Sequence, residues 1–230
     1  MFSIKDMPVR RKSWIQAAGI PKARLGWEFS DCTDITPTDL DMVKRWVSKV
    51  ESGDIIRAEG SKVCGKGLLL VGKPGQGKTA FALTIIQDMM RTFSLESFSV
   101  QEDTSLVKPC YFTTFSSIIE LNGSIIGGKN TDDEERLFLG MHGECDHDAY
   151  NVRVLVIDDV GREHASASGW SSTVLHHLLR TRFNHGLPTI VTTNLPVKSW
   201  EAEYGVATGS FIHEAFTTIE LESIRGDLRR

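Results

Sequence analysis

Eight residues, Gly72-Lys73-Pro74-Gly75-Gln76-Gly77-Lys78-Thr79, constrain this chain more than any other stretch. They match G-x-x-x-x-G-K-[ST] at every fixed position. An apolar run at 67–71 precedes them. Residues 79–91 follow, with Phe81, Ile85, Ile86 and Met89 at helical spacing. A strand, a glycine-rich turn and a helix in that order leave few folds open. Glycines let backbone N–H groups approach an anion closely, and the helix N-terminus adds its positive end. The spacing predicts a phosphate cradle at Gly72, Pro74, Gly75, Gln76, Gly77, Lys78, Thr79 and Ala80. Lys78 is expected to reach the β- and γ-phosphates and Thr79 to place its hydroxyl on Mg²⁺, which makes ATP with Mg²⁺ the expected ligand.

Two further motifs extend this chemistry. Val154-Leu155-Val156-Ile157-Asp158-Asp159 is an apolar strand that ends in two acids. Burying acids beside such a strand is costly unless they have work at its edge. Asp158 is expected to hold Mg²⁺, and Asp159 to accept a proton from an attacking water. Thr192-Thr193-Asn194 ends another strand, where Asn194 or Thr193 could sense the γ-phosphate.

Along the chain, strands alternate with helices. A helix is expected at 37–51, with Thr36 as cap and Pro37 at its first position. Strands follow at 67–71, 110–114, 152–157, 189–193 and 217–221, with helices at 79–91, 169–183 and 209–216 between them. The pattern predicts a parallel, three-layer α/β domain. The segment 122–150 is too long for a plain connection and should carry a short helix and a loop.

Composition narrows the class. A net charge of −4 excludes a globally basic nucleic-acid coat protein. Apolar runs such as 68–71 and 154–157 stop far short of the roughly 20 residues of a membrane span. The four cysteines form no C-x-x-C, which points to a reduced, cytoplasmic protein. Charge is uneven: residues 1–25 carry +5, the remainder −9, and 131–150 alone −6. The basic arm 1–25 is a candidate partner-binding segment ahead of a core at 26–230, or simply a solvated terminus. His142, Cys145, Asp146, His147 and Asp148 could ligate a metal by type, but their spacing favours a solvated loop. Trp170 and Trp200 read as packing residues, with base stacking as the alternative.

Taken together, Gly26-Trp27-Glu28-Phe29, the glycine-rich loop, Ile157-Asp158-Asp159-Val160-Gly161-Arg162-Glu163 and Pro188-Thr189-Ile190-Val191-Thr192-Thr193-Asn194-Leu195-Pro196 resemble the AAA+ core of DnaC/IstB-type ATPases over about residues 20–230. The resemblance implies a parallel five-stranded sheet of order 5-1-4-3-2, without a separate lid domain. It implies ATP-dependent loading of a replicative ring helicase in DNA replication, with single-stranded DNA as a second partner and a homo-oligomer as a possible assembly. It places Trp27 and Phe29 near the adenine. An IstB-like transposition helper and a nucleotide-binding adaptor with little hydrolysis are the alternatives. Two departures stand out. The family's arginine in the helix before the last strand has no counterpart in 209–216, which leaves Arg180, Arg182, Arg225 and Arg229 as candidates to reach a neighbouring subunit's nucleotide. The short lead-in suggests a phage or mobile-element version, with the basic arm standing in for a helicase-binding domain.

Overall fold

The apolar runs at 67–71, 154–157 and 189–191 read as strands covered on both faces, and a computed structural model sets them side by side. It describes residues 1–33, 35–59, 62–101, 104–161 and 169–221. Five parallel strands form the central sheet: β1 (Gly67–Val71), β2 (Cys110–Thr114), β3 (Val154–Val160), β4 (Thr189–Thr193) and β5 (Phe216–Glu220). Their order is β5-β1-β4-β3-β2, as the resemblance implies. Leu68 pairs with Ile190 on one side and Thr217 on the other, so β1 lies between the central strand β4 and the edge strand β5. Every residue of β1 and β4 is buried.

Eight helices surround the sheet among the described residues: α1 (Val9–Ala17), α2 (Pro37–Ser52), α3 (Lys78–Thr92), α4 (Phe115–Ile126), α5 (Asp132–His142), α6 (Trp170–Asn184), α7 (Trp200–Tyr204) and α8 (Val206–Ala215). Successive strand residues point to opposite faces. Leu68, Leu70, Val154 and Val156 therefore meet α1, α2 and α3 through Trp14, Val43 and Phe81. Leu69, Val71, Leu155 and Ile157 meet the other layer through Phe115, Leu175 and Phe211. This is the expected three-layer arrangement.

Local chemistry sets the helix starts. Thr36 Oγ1 accepts from the Asp39 N–H at 3.1 Å, with Pro37 at the first helical position. The long 122–150 segment contains α5, whose start is a reciprocal capping box between Thr131 and Glu134. Two antiparallel hairpins, Ile56–Glu59 with Lys62–Gly65 and Ser99–Gln101 with Thr104–Ser105, are absent from the sequence reading. The signal for the first was Gly60-Ser61 between two short alternating runs.

The basic N-terminal segment lies against this body. Trp14 is 2% exposed and donates its indole N–H to Leu106 O at 2.9 Å. The Arg11 guanidinium donates to Met90 O and Phe93 O at 2.8 and 2.7 Å, at the C-terminal end of α3, where the helix dipole favours a cation. Lys5 and Arg10 stay exposed. Trp14→Ala is expected to cost about 3–5 kcal/mol in denaturant unfolding, because it empties a buried indole site and strands a carbonyl. A loss under about 1 kcal/mol would show that the segment is not part of the folding unit.

Candidate nucleotide-binding site

The glycine-rich loop joins β1 to α3 through two left-handed residues, Gly75 (φ 82°) and Gly77 (φ 77°), a backbone that side chains with a Cβ resist. Gly72 serves a different need. A Cβ there would sit 2.9 Å from Leu221 O and 2.5 Å from Gln76 Oε1. The Gln76 oxygen also accepts from the Lys73 N–H. Gly77 caps α3 without a side-chain hydrogen bond. The first-turn N–H groups of a helix have no intrahelical acceptor, so the loop ends in a set of donors suited to an anion.

Lys78 is only 6% exposed. Its Nζ donates to Gly72 O at 2.8 Å, Lys73 O at 2.9 Å and Asn194 Oδ1 at 2.7 Å, which ties the loop to the end of β4. Thr79 Oγ1 donates to both Asp158 carboxylate oxygens, at 2.9 and 3.1 Å. Thr192 Oγ1 donates to Asp158 Oδ1 at 2.5 Å and accepts from the Asp159 N–H at 3.1 Å. Three neighbouring strands, β1, β3 and β4, thus deliver the loop, the paired acids and the terminal asparagine to one edge.

Burial pushes the Asp158 carboxyl above its ordinary range. The Thr192 and Thr79 hydroxyls oppose that shift, Asp159 adds to it, and Lys78 opposes it. A raised native pKa means the folded state holds the proton more tightly than the unfolded chain. Stability therefore falls as pH rises from the ordinary carboxylate range through the raised value. Asp158→Asn is expected to raise the melting temperature of nucleotide-free protein at neutral pH while removing Mg²⁺-dependent nucleotide binding. An unchanged or lower melting temperature would contradict this balance.

Asp159 has φ 56°, the only positive value for a non-glycine among the described residues. The β3–β4 register shifts between Ile157 and Val160, so the strand kinks where the second acid must leave the sheet. Thr193 Oγ1 locks the kink by donating to Val160 O at 2.7 Å and accepting from the Leu195 N–H at 2.9 Å.

These groups border a cavity of about 300 Å³. Gly75, Gln76, Gly77, Lys78, Thr79, Ala80, Asp159 and Asn194 line it, together with Arg24, Trp27, Asp31, Cys32, Thr33 and Ile35 from the N-terminal region. Arg24, Asp31, Cys32, Thr33 and Ile35 were not found by sequence reasoning, since no motif marks them. Phe29 does not line the cavity. It packs edge-on against Phe81 at 6.1 Å between centroids, as a core contact. Pro74 is exposed on the loop.

The arginine candidates separate. Arg182 is 0% exposed, and its guanidinium donates to Thr189 Oγ1, Met141 O, Val152 O, Arg153 O and Pro188 O at 2.6–3.1 Å. That corrects its candidacy for a trans-acting role: it is a buried clamp between α5, α6 and the sheet. Arg180 is half-buried, with its guanidinium 4.2 Å from the Phe211 ring centroid. Arg225 and Arg229 lie outside the described residues, as do Arg162 and Glu163. His142 is buried and its Nδ1–H donates to Phe138 O at 2.9 Å, and no group of three His, Cys, Asp or Glu among the described residues could hold a metal. Trp200 is fully buried, a packing residue.

The donor set fits a nucleoside triphosphate with a divalent cation. An uncapped helix start and a buried lysine suit the phosphates, and the Thr79–Asp158 pair suits the metal. A glycine-rich loop, paired aspartates and an asparagine on adjacent strands of a 5-1-4-3-2 sheet define a P-loop domain of the AAA+ class. The chain belongs to the AAA family, the ATPase family associated with various cellular activities, whose model matches residues 68–202. Proteins of that family bind ATP with Mg²⁺.

The fold is also similar to solved structures. The DnaC helicase loader is 21% identical at a TM-score of 0.58, covering 88% of this chain and 100% of that one. DnaI is 19% identical at a TM-score of 0.60, covering 94% and 99%. The replication initiator DnaA bound to AMPPCP and single-stranded DNA is 13% identical at 0.54, covering 84% and 48%. No curated protein sequence matches the chain. No helix among the described residues is long and apolar enough to cross a membrane.

Proposed function

We propose that this protein is an ATPase that loads or remodels a replicative ring helicase, with single-stranded DNA as a second partner. The observation that carries the reading is the linkage of Lys78 to Asn194 and of Thr79 to Asp158 at one cavity. Fold similarity along nearly the whole of the DnaC helicase loader and DnaI supports the loader role, and DnaA with AMPPCP and single-stranded DNA supports the ligands.

Bound ATP and Mg²⁺ would supply a γ-phosphate with its charge partly neutralised. Lys78 and the 75–80 loop hold the phosphates. Thr79 and Asp158 hold the metal. Asp159 accepts the proton of the attacking water, and Asn194 reports the γ-phosphate to β4. The exposed cations of the N-terminal segment are the candidate helicase contact.

A pull-down with the host's ring helicase tests the role. Capture of helicase, with phosphate release stimulated by single-stranded DNA, is the expected result. Capture of a transposase instead would replace the loader with an IstB-like helper. A second reading, an adaptor that binds nucleotide and hydrolyses it weakly, is favoured by the burial of Arg182 and the lack of arginine in α8. Arg180→Ala separates the two. In the loader it is expected to lower hydrolysis at least tenfold with nucleotide affinity unchanged, and in the adaptor hydrolysis is already low and does not respond.

A further inference from the structure

The N-terminal part of the cavity lining is held by a side chain that no motif marks. Gln87 lies on α3, the helix that the loop opens, and is 0% exposed. Its Nε2 donates to Arg24 O at 3.0 Å, and its Oε1 accepts from the Gly26 N–H at 2.8 Å. Gly26 has φ 84°, its carbonyl accepts from the Phe2 N–H at 2.8 Å, and a Cβ on it would lie 2.6 Å from Phe2 O. The backbone at 24–26 is therefore held from both sides, with α3 as one of its anchors.

Two side chains leave this turn for the cavity. The Arg24 guanidinium carbon lies 4.3 Å from the Trp27 ring centroid, and both residues line the cavity. Among the described residues Arg24 makes no ion pair. Asp31, the acid in the same part of the lining, has its carboxylate engaged by the Glu28 N–H at 2.9 Å. Lys78 is the other cation of the lining, and it sits at the loop end.

Resting on the nucleotide reading above, we infer that Arg24 contacts the nucleobase and that Gln87 is the positioning residue that holds it there. The surroundings of Arg24 are those of a base pocket. Trp27, Cys32 and Ile35 offer aromatic and aliphatic surface, and the 75–80 loop already supplies the phosphate donors. A guanidinium lying on an indole face is a flat cation that can extend the stack over a purine ring or donate to a single ring nitrogen of its edge. Lysine, a point charge, does not reproduce this.

The test compares ATP, ADP and inorganic tripolyphosphate binding to the full chain by calorimetry. Tripolyphosphate carries the phosphates without a base. Arg24→Ala is expected to weaken ATP and ADP about tenfold and leave tripolyphosphate unchanged. Arg24→Lys should not restore affinity. Gln87→Met, which removes both anchoring bonds at similar volume, should shift the nucleotide-to-tripolyphosphate ratio in the same direction. A general loss of structure would lower all three together. Equal loss of tripolyphosphate and nucleotide in Arg24→Ala would overturn the assignment, as would no loss at all. Lys78→Ala serves as the control that loses all three ligands. A wild-type chain that binds none of them would instead defeat the nucleotide reading itself.

Discussion

Lys78→Ala is expected to weaken ATP by at least about 100-fold while the fold survives. A charge-assisted hydrogen bond contributes roughly 1.5–3 kcal/mol, and a buried ammonium facing several phosphate oxygens makes more than one. The amine holds Gly72 O, Lys73 O and Asn194 Oδ1, so its removal also frees the loop from β4. The loss of those bonds affects a part-buried loop rather than the core, and circular dichroism should remain native. Titration with ATP measures the affinity. Unchanged affinity in a folded variant would defeat the assignment of the cradle.

Arg182→Met is expected to act in the opposite way. It should destabilise the protein by about 3–5 kcal/mol, because stranding five buried acceptors costs more than removing the desolvated charge returns, with nucleotide affinity preserved in whatever fraction remains folded. Five acceptors, four of them backbone carbonyls, lose their partner at once. Burial lowers the guanidinium pKa to about 9, which still leaves it charged at neutral pH. Arg182→Lys should rescue little, since one ammonium cannot serve a planar set of acceptors. Denaturant unfolding measures the cost. A variant of native stability that fails only in hydrolysis would return Arg182 to the trans-acting candidates.

Arg182 also shows why part of the site was illegible in the sequence. At the end of a helical LLRTRF run it reads as a surface or helix-end charge, the usual place for arginine. Only the fold brings β4, the end of α5 and the lead-in to β3 around it. Phe29 failed for a related reason: its spacing from Trp27 says nothing of which aromatic turns to the cavity and which to Phe81. Gln87 and Arg24 lie more than sixty residues apart, and no local pattern joins them. The sheet order, too, came from the family resemblance rather than from the residues themselves.

Residues 67–79 by contrast were readable because their constraints are local. The glycines at 75 and 77 are demanded by backbone angles, and Lys78 and Thr79 follow by covalent distance. The apolar run that ends in Asp158-Asp159 likewise announces a buried strand with acids at its tip. The sequence alone thus determined the glycine-rich strand-to-helix loop, the paired acids and the alternation of strands and helices. Tertiary structure alone decided which arginine is a clamp, which aromatic walls the cavity, and where the basic segment rests. Those outcomes depend on contacts between residues far apart in the chain, and their free energies come from burial that no single segment can arrange by itself.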